Sequence, residues 1–290
     1  MTRGYDALRD RTPRALRRPA ARAVETARGL TGGLRAVPDF IIAGTQRGGT
    51  NSLYEYLVSH PLVDRAIPGQ EVHFFDLNLD RGMRWYRGHF PLASAARRGD
   101  DPRRLTGESS PYYMFHPRAP RRIARALPNV RIIVVLRDPI DRAYSHYHHE
   151  RSRGAEDLSF EDAIASEEAR LAGEEEALET DPRYRSFEHQ HHSYVARGMY
   201  APQVRRLYET FGPDRVSVLI SEEIFRDPLP VVHDLLAFLG LPARGAGAFE
   251  QRNAGRYSEM PRSTRTSLAE RFRDSNDDLV RLIGRDLPWD

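Results

Sequence analysis

The sequence predicts an α/β fold of three layers, with a central parallel sheet covered by helices on both faces. Three observations predict it. Short apolar runs recur at 39–44, 130–137 (VRIIVVLR) and 215–221 (RVSVLIS), and unbroken runs of that length suit strands buried on both sides. Segments with helical periodicity separate them, the alternation expected of a parallel sheet. The first strand also runs directly into a glycine-rich turn and a hydroxyl-rich helix start, DFIIAGTQRGGTN at 39–51, the outline of a phosphate cradle and of a P-loop-like arrangement.

Composition bounds the possibilities. The chain has 290 residues and 40% hydrophobic content, enough to bury a substantial core. It contains no Lys, so all 44 basic residues are Arg, and the formal charge of +3 permits an anionic ligand without requiring nucleic acid. The absence of Cys excludes disulfides, thiolate metal sites and a cysteine nucleophile. The longest apolar runs are too short to span a bilayer, so no transmembrane segment is expected.

In chain order, residues 1–36 form an Arg- and Ala-rich extension interrupted by Pro13 and Pro19 and closing on Gly32 and Gly33. It lacks the apolar core of a secretory signal. It is expected to be partly helical and weakly ordered, and its Arg-rich character also suits peripheral membrane contact. Residues 37–290 form the main domain. Strand 39–44 is followed by helix 51–59, strand 130–137 by helix 139–153, then come helix 200–211, strand 215–221 and helices 228–240 and 263–284. Pro139 favours the first turn of its helix. The acidic run 156–180 is expected to be a solvated helical insertion.

The loop lacks one component. A nucleoside-triphosphate loop requires Gly, four residues, then Gly-Lys-Ser/Thr. Here Gly44 and Gly49 have that spacing, but Thr50 follows immediately and the lysine position is empty. Arg47 is the only cation within the turn. Gly48 and Gly49 would turn backbone N–H groups inward, with Thr50, Asn51 and Ser52 adding side-chain donors. Such a nest suits a small tetrahedral anion. A second anion site is expected where strand 130–137 ends in Arg137 and Ser145 reaches back from the next helix, because open α/β folds bind ligands beyond the carboxyl ends of their strands.

TQRGGTNSL (45–53) followed by VVLRDPIDRAYSHY (134–147) resembles the paired signatures of the sulfotransferases that use 3'-phosphoadenosine 5'-phosphosulfate. The resemblance runs from Val37 to Trp289 and is closest to the heparan sulfate N- and 3-O-sulfotransferase branch and its bacterial relatives. EVHFFD (71–76), GESSPYYMFHP (107–117), NAGRYSEMP (253–261) and NDDLVRLIGRDLPW (276–289) follow that branch in the same order.

The resemblance implies an enzyme with that nucleotide as sulfuryl donor and no metal requirement. It assigns the 5'-phosphosulfate to Gln46, Arg47, Gly48, Gly49, Thr50, Asn51 and Ser52, with Arg47 where the family usually has Lys. Arg47 can stabilise charge on the departing oxygen but cannot serve as a proton donor. The 3'-phosphate is assigned to Arg137 and Ser145, closed over by Arg256 or by the backbone at Gly255. Glu71 is the expected catalytic base. His73, placed on the same face of an extended segment, assists it, and Asp76 orients the imidazole or the acceptor. Phe74 and Phe75 are expected in the core or the cleft wall.

Gln70 and Ser109 stand where the animal polysaccharide enzymes commonly carry Lys. The expected acceptor is therefore less anionic than heparan sulfate: a hydroxylated small molecule, glycan or glycolipid of bacterial type, sulfated in a reducing cytoplasm. The His-rich stretches HYHHE (146–150) and HQHH (189–192) lack zinc spacing, and the second is expected to border the cleft. The Arg clusters 121–125 and 205–206 read as helix exteriors. A P-loop kinase or nucleotide hydrolase, and a catalytically inactive family member, are the alternative readings.

Overall fold

The computed structural model describes residues 14–94, 104–243, 249 and 258–289. Gly255 and Arg256, assigned above to the 3'-phosphate, lie outside the described residues. Five strands form one sheet: β1 (Phe40–Gly44), β2 (Val63–Asp64), β3 (Leu105–Ser109), β4 (Arg131–Leu136) and β5 (Val216–Ile220). Their spatial order is β2-β3-β1-β4-β5, and every pairing is parallel.

The helices are α1 (Arg14–Leu30), α2 (Thr50–Ser59), α3 (Gly82–Arg87), α4 (Ala119–Ala126), α5 (Pro139–Ser152) and α6 (Phe160–Leu171). They continue as α7 (Glu174–Thr180), α8 (Phe187–His191), α9 (Tyr200–Phe211), α10 (Ser221–Arg226), α11 (Pro228–Leu239) and α12 (Arg262–Ile283). Alternation along β1 and β4 sends their side chains to opposite faces. Ile41, Ala43, Ile132 and Val134 pack with Ile123, Val204, Leu207 and Leu279 on one face. Phe40, Ile42, Ile133 and Val135 pack with Leu53, Leu57, Val232 and Leu236 on the other. The expected three-layer architecture is present.

Strands β2 and β3 carry no apolar signature. β3 reads LTGES, yet all five residues are buried. Its neighbours explain this: β1 supplies an apolar strand to pair with, and Gly107 makes room for the Phe40 ring, which would lie 2.4 Å from a Cβ at that position. A polar strand is thus carried into the core by the strand beside it.

Three expectations are refined by the structure. The extension is partly helical, as expected, and its helix α1 docks on the main domain: Arg28 donates to the Gly88 and Phe90 carbonyls, and Glu25 pairs with Arg81. The acidic run is not simply solvated. Phe160, Ala163, Glu167 and Leu178 are buried, and Glu167 accepts the backbone N–H groups of Val195 and Ala196, each at 2.7 Å. The insertion therefore props up the segment leading to Arg197. Third, the Arg clusters are only partly exterior. Arg121 is exposed beside Glu179, but Arg122 donates to the Phe75 carbonyl and Arg206 to those of Met114 and Phe115. No described helix is long and apolar enough to cross a membrane.

Candidate active site

A cleft of about 1230 Å³ opens beyond the carboxyl ends of β1 and β4. Gln46, Arg47, Gly49, Thr50, Asn51, Glu71, His73, Arg137 and Ser145 all line it. The loop after β1 turns sharply, with positive φ at Arg47 (68°) and Gly49 (100°). Gly49 precedes α2 in the left-handed region, and no side chain caps that helix. Its first N–H groups therefore present a partial positive charge at the cleft floor.

Gly48 plays a different part from the one expected. Its N–H donates within the turn to the Thr45 carbonyl at 3.0 Å. A Cβ there would lie 2.4 Å from the Val135 carbonyl oxygen. Gly48 is required because the loop presses against the β4 backbone. Ser52 is also buried and lies off the cleft wall.

The second anchor follows β4. Asp138 caps α5 by accepting from the Ile140 N–H at 2.8 Å, with Pro139 in the first turn. This places Arg137 at the strand end and Ser145 two turns along, both facing the cleft. Arg137 Nη1 donates to the Arg47 carbonyl at 3.4 Å, and Arg47 Nε donates to Ser145 Oγ at 3.0 Å. The two expected anion sites are thus adjacent and mutually braced.

Across the cleft lies the segment 71–76. It is not an extended strand: His73 has φ of 50°, and this bend brings its imidazole toward Glu71, with His73 Nε2 4.0 Å from Glu71 Oε2. His73 Nδ1 bonds Asp76 Oδ2 at 2.7 Å. The Asp76 side chain is fully buried, so it orients the imidazole and does not reach an acceptor. The Glu71 side chain is 48% exposed and faces the cleft. Burial alone would lower the His73 pKa. The carboxylates of Asp76, Glu71 and Glu108 outweigh it and raise the value to about 9. Phe74 and Phe75 are core residues, as expected.

Gln70 donates to Asn51 Oδ1 at 2.6 Å, tying this segment to the head of α2. Ser109 is wholly buried and lies off the cleft, so of the two positions only Gln70 bears on the charge of a bound ligand. HQHH does border the cleft: Gln190 and His191 line it, while His189 is buried. His191 Nδ1 bonds Glu150 Oε2 at 2.9 Å, and His146 lies 3.5 Å from Glu150 Oε1. Among the described residues no group of His, Asp or Glu is arranged to hold a metal.

Two residues escaped the sequence reading. Arg197 is a buried part of the cleft lining, bonded to Gln46 Oε1 and to the His189 and Gln190 carbonyls, with Tyr112 and Phe115 against its guanidinium. It fixes Gln46 to the far wall. Glu108 lies fully buried in β3. The available signal was a charged residue inside each otherwise packed run, YVARGMY and LTGESSPYY.

The sulfotransferase domain family matches residues 37–276. The chain is 30% identical to heparan sulfate glucosamine 3-O-sulfotransferase 6 of Mus musculus, over 89% of this chain and 75% of that protein. It is also 30% identical to the bifunctional heparan sulfate N-deacetylase/N-sulfotransferase 3 of Homo sapiens, but covers only 31% of that protein's length. Among solved structures it resembles a sulfotransferase from Alicyclobacillus acidocaldarius, with 34% identity and a TM-score of 0.67, across 87% of this chain and 98% of that one. With these likenesses added to the five-stranded parallel sheet and its loop without the triphosphate-binding lysine, the chain belongs to the sulfotransferase family.

Proposed function

We propose that this sulfotransferase moves a sulfuryl group from 3'-phosphoadenosine 5'-phosphosulfate to a hydroxyl or amine of a weakly anionic glycan, glycolipid or small molecule. One observation carries the reading. A single cleft joins an uncapped helix start with Arg47, a second Arg–Ser anchor, and an exposed carboxylate on the opposite wall. The residues fit the donor: the loop and Arg47 hold its 5' end, and Arg137 with Ser145 holds its 3'-phosphate.

Glu71 takes the proton from the acceptor as its oxygen or nitrogen attacks sulfur in line. Arg47 stabilises the charge that collects on the 5'-phosphate oxygen as the sulfur–oxygen bond breaks. His73 carries its own proton at neutral pH, given its raised pKa, so it orients and balances Glu71 and is not the base. Gln70, in place of a cation, supports an acceptor of low charge. The animal relatives' names place them on heparan sulfate, which makes that polysaccharide the competing acceptor.

Thermal shift and a labelled-donor screen test this. Adenosine 3',5'-bisphosphate should stabilise the protein without added metal, more than ATP with Mg²⁺ does. Label should then transfer to neutral glycosides, glycolipids or alcohols in preference to heparan-type polysaccharides. Preference for the polysaccharide would refute the acceptor class. Stabilisation by ATP with Mg²⁺ alone would refute the donor. Bisphosphate binding with no transfer to any acceptor would mark an inactive member.

A further inference from the structure

Glu108 pairs in register with Ile41 at the centre of the sheet and has no solvent exposure. Three hydroxyls converge on its carboxylate. Tyr86 donates to Oε1 at 2.6 Å, Ser110 to Oε2 at 2.7 Å, and the Tyr113 hydroxyl lies 3.3 Å from both oxygens. A hydroxyl that spends its proton on a carboxylate turns its lone pairs elsewhere. Ser110 Oγ accepts the N–H groups of Val72 and His73 at 3.1 and 3.0 Å. Tyr113 accepts those of Phe74 and Phe75 at 2.7 and 3.3 Å.

Four successive amides of an irregular segment therefore hang from one buried carboxylate through two hydroxyls. The left-handed residue His73 sits within that grip, where a non-glycine residue is held against its preference. We propose that Glu108 is the positioning residue of this active site, holding Glu71 and His73 at the cleft through Ser110 and Tyr113. The inference rests on the assignment of Glu71 as the base.

Stability alone does not call for a carboxylate here. Burial pushes its pKa up to about 7 even though the Tyr86 and Ser110 hydrogen bonds pull the other way, so an ionised group in this place carries a net cost. What the ionised form alone supplies is polarity: both of its oxygens only accept. The nearly isosteric Glu108→Gln puts an NH₂ donor among the hydroxyls. Set against Ser110 or Tyr113, that donor makes the hydroxyl reverse, and its proton meets a backbone N–H it had accepted; set against Tyr86, it costs the 2.6 Å hydrogen bond to the carboxylate.

The experiment compares wild-type and Glu108→Gln in three measurements. These are loss of labelled sulfuryl from the donor to p-nitrophenyl glucosaminide or water, affinity for adenosine 3',5'-bisphosphate, and hydrogen exchange at amides 72–75. The transfer rate should fall roughly 10- to 100-fold, as expected when a general base is displaced but present. Bisphosphate affinity should stay within about twofold, since that ligand's anchors are elsewhere. Exchange should rise at 72–75 while β1 and β4 stay protected. Should Glu108→Gln not fold, Ser110→Ala tests the same link. It keeps Glu108 with its two tyrosines, and exchange should rise at Val72 and His73 with a loss of rate and unchanged bisphosphate affinity. Unchanged rate and exchange at 72–75 would overturn the inference. So would a general rise in exchange with bisphosphate affinity and rate falling together. If wild-type protein transfers nothing, the function proposed above fails, and the exchange measurement still decides whether Glu108 positions the segment.

Discussion

The two walls of the cleft are built in opposite ways. The wall proposed to hold the donor, Gln46–Asn51 with Arg137 and Ser145, follows directly from strand-to-helix turns of adjacent strands, and its strongest constraints are local: positive φ at Arg47 and Gly49, an uncapped α2 and a proline-opened α5. The facing wall, Glu71–Asp76, belongs to no strand or helix. Its shape comes from residues 37–39 positions later, through the hydroxyls of Ser110 and Tyr113. One wall is made by secondary structure and the other by a buried polar hub. The lesson is that charge can be held by backbone geometry, whereas a proton acceptor has to be aimed.

The sharpest way to separate the walls is Glu71→Gln. It keeps shape and hydrogen bonding but cannot take a proton, so turnover should fall by about 10²–10⁴, with bisphosphate affinity unchanged by titration calorimetry. His73→Ala should cost less, and the double variant should lose less than the product of the two, because residues acting as a unit are not additive. Near-normal turnover in Glu71→Gln with a dead His73→Ala would exchange their roles.

Arg137→Ala probes the other wall. It removes a charge-assisted phosphate contact, about 1.5–3 kcal/mol, so affinity for adenosine 3',5'-bisphosphate should drop on the order of 10- to 100-fold. Affinity for adenosine 5'-phosphosulfate, which lacks the 3'-phosphate, should scarcely change. Equal losses for both ligands would make Arg137 a brace for Arg47 and no reader of the 3'-phosphate.

The smallest effect is one of pH. His73 has its pKa raised from 6.5 to about 9 in the fold; burial opposes the rise, but Asp76 and its neighbouring carboxylates prevail. A raised pKa means that the folded state binds the proton more tightly. The stability contributed is complete below about 6.5 and lost as pH climbs through about 9. The difference in Tm between wild-type and His73→Asn should therefore shrink across that window. A difference that grows with pH would show a neutral imidazole and restore His73 as a candidate base.

Much of this was legible in the chain itself. Helices at 139, 200, 228 and 262 begin within a residue or so of their expected starts, because proline, apolar periodicity and strand endings are local signals. Strand β3 was not legible, since LTGES has the composition of a turn and becomes a strand only beside β1 with Phe40 over Gly107. The positions of Glu71, Arg47 and Arg137 in the cleft were anticipated, but their supports were not. Gly48 was read as an amide donor to the ligand and proves to be a clearance requirement against Val135. Glu108 and Arg197 were passed over because burial of a charge is set by residues distant in sequence.

The contact of Glu167 with the Val195 and Ala196 amides bears on how such an enzyme diversifies. Those amides precede Arg197, Gln190 and His191 lie on the same stretch of chain, and none of α6 lines the cleft. The insertion is a lever applied from outside: a change in α6 can shift the stretch that carries Gln190, His191 and Arg197 without replacing any residue that lines the cleft. Acceptor preference should then drift between relatives whose cleft-lining residues are identical, and grafting α6 from one onto another, scored by acceptor profile at constant bisphosphate affinity, is the measurement that would detect it.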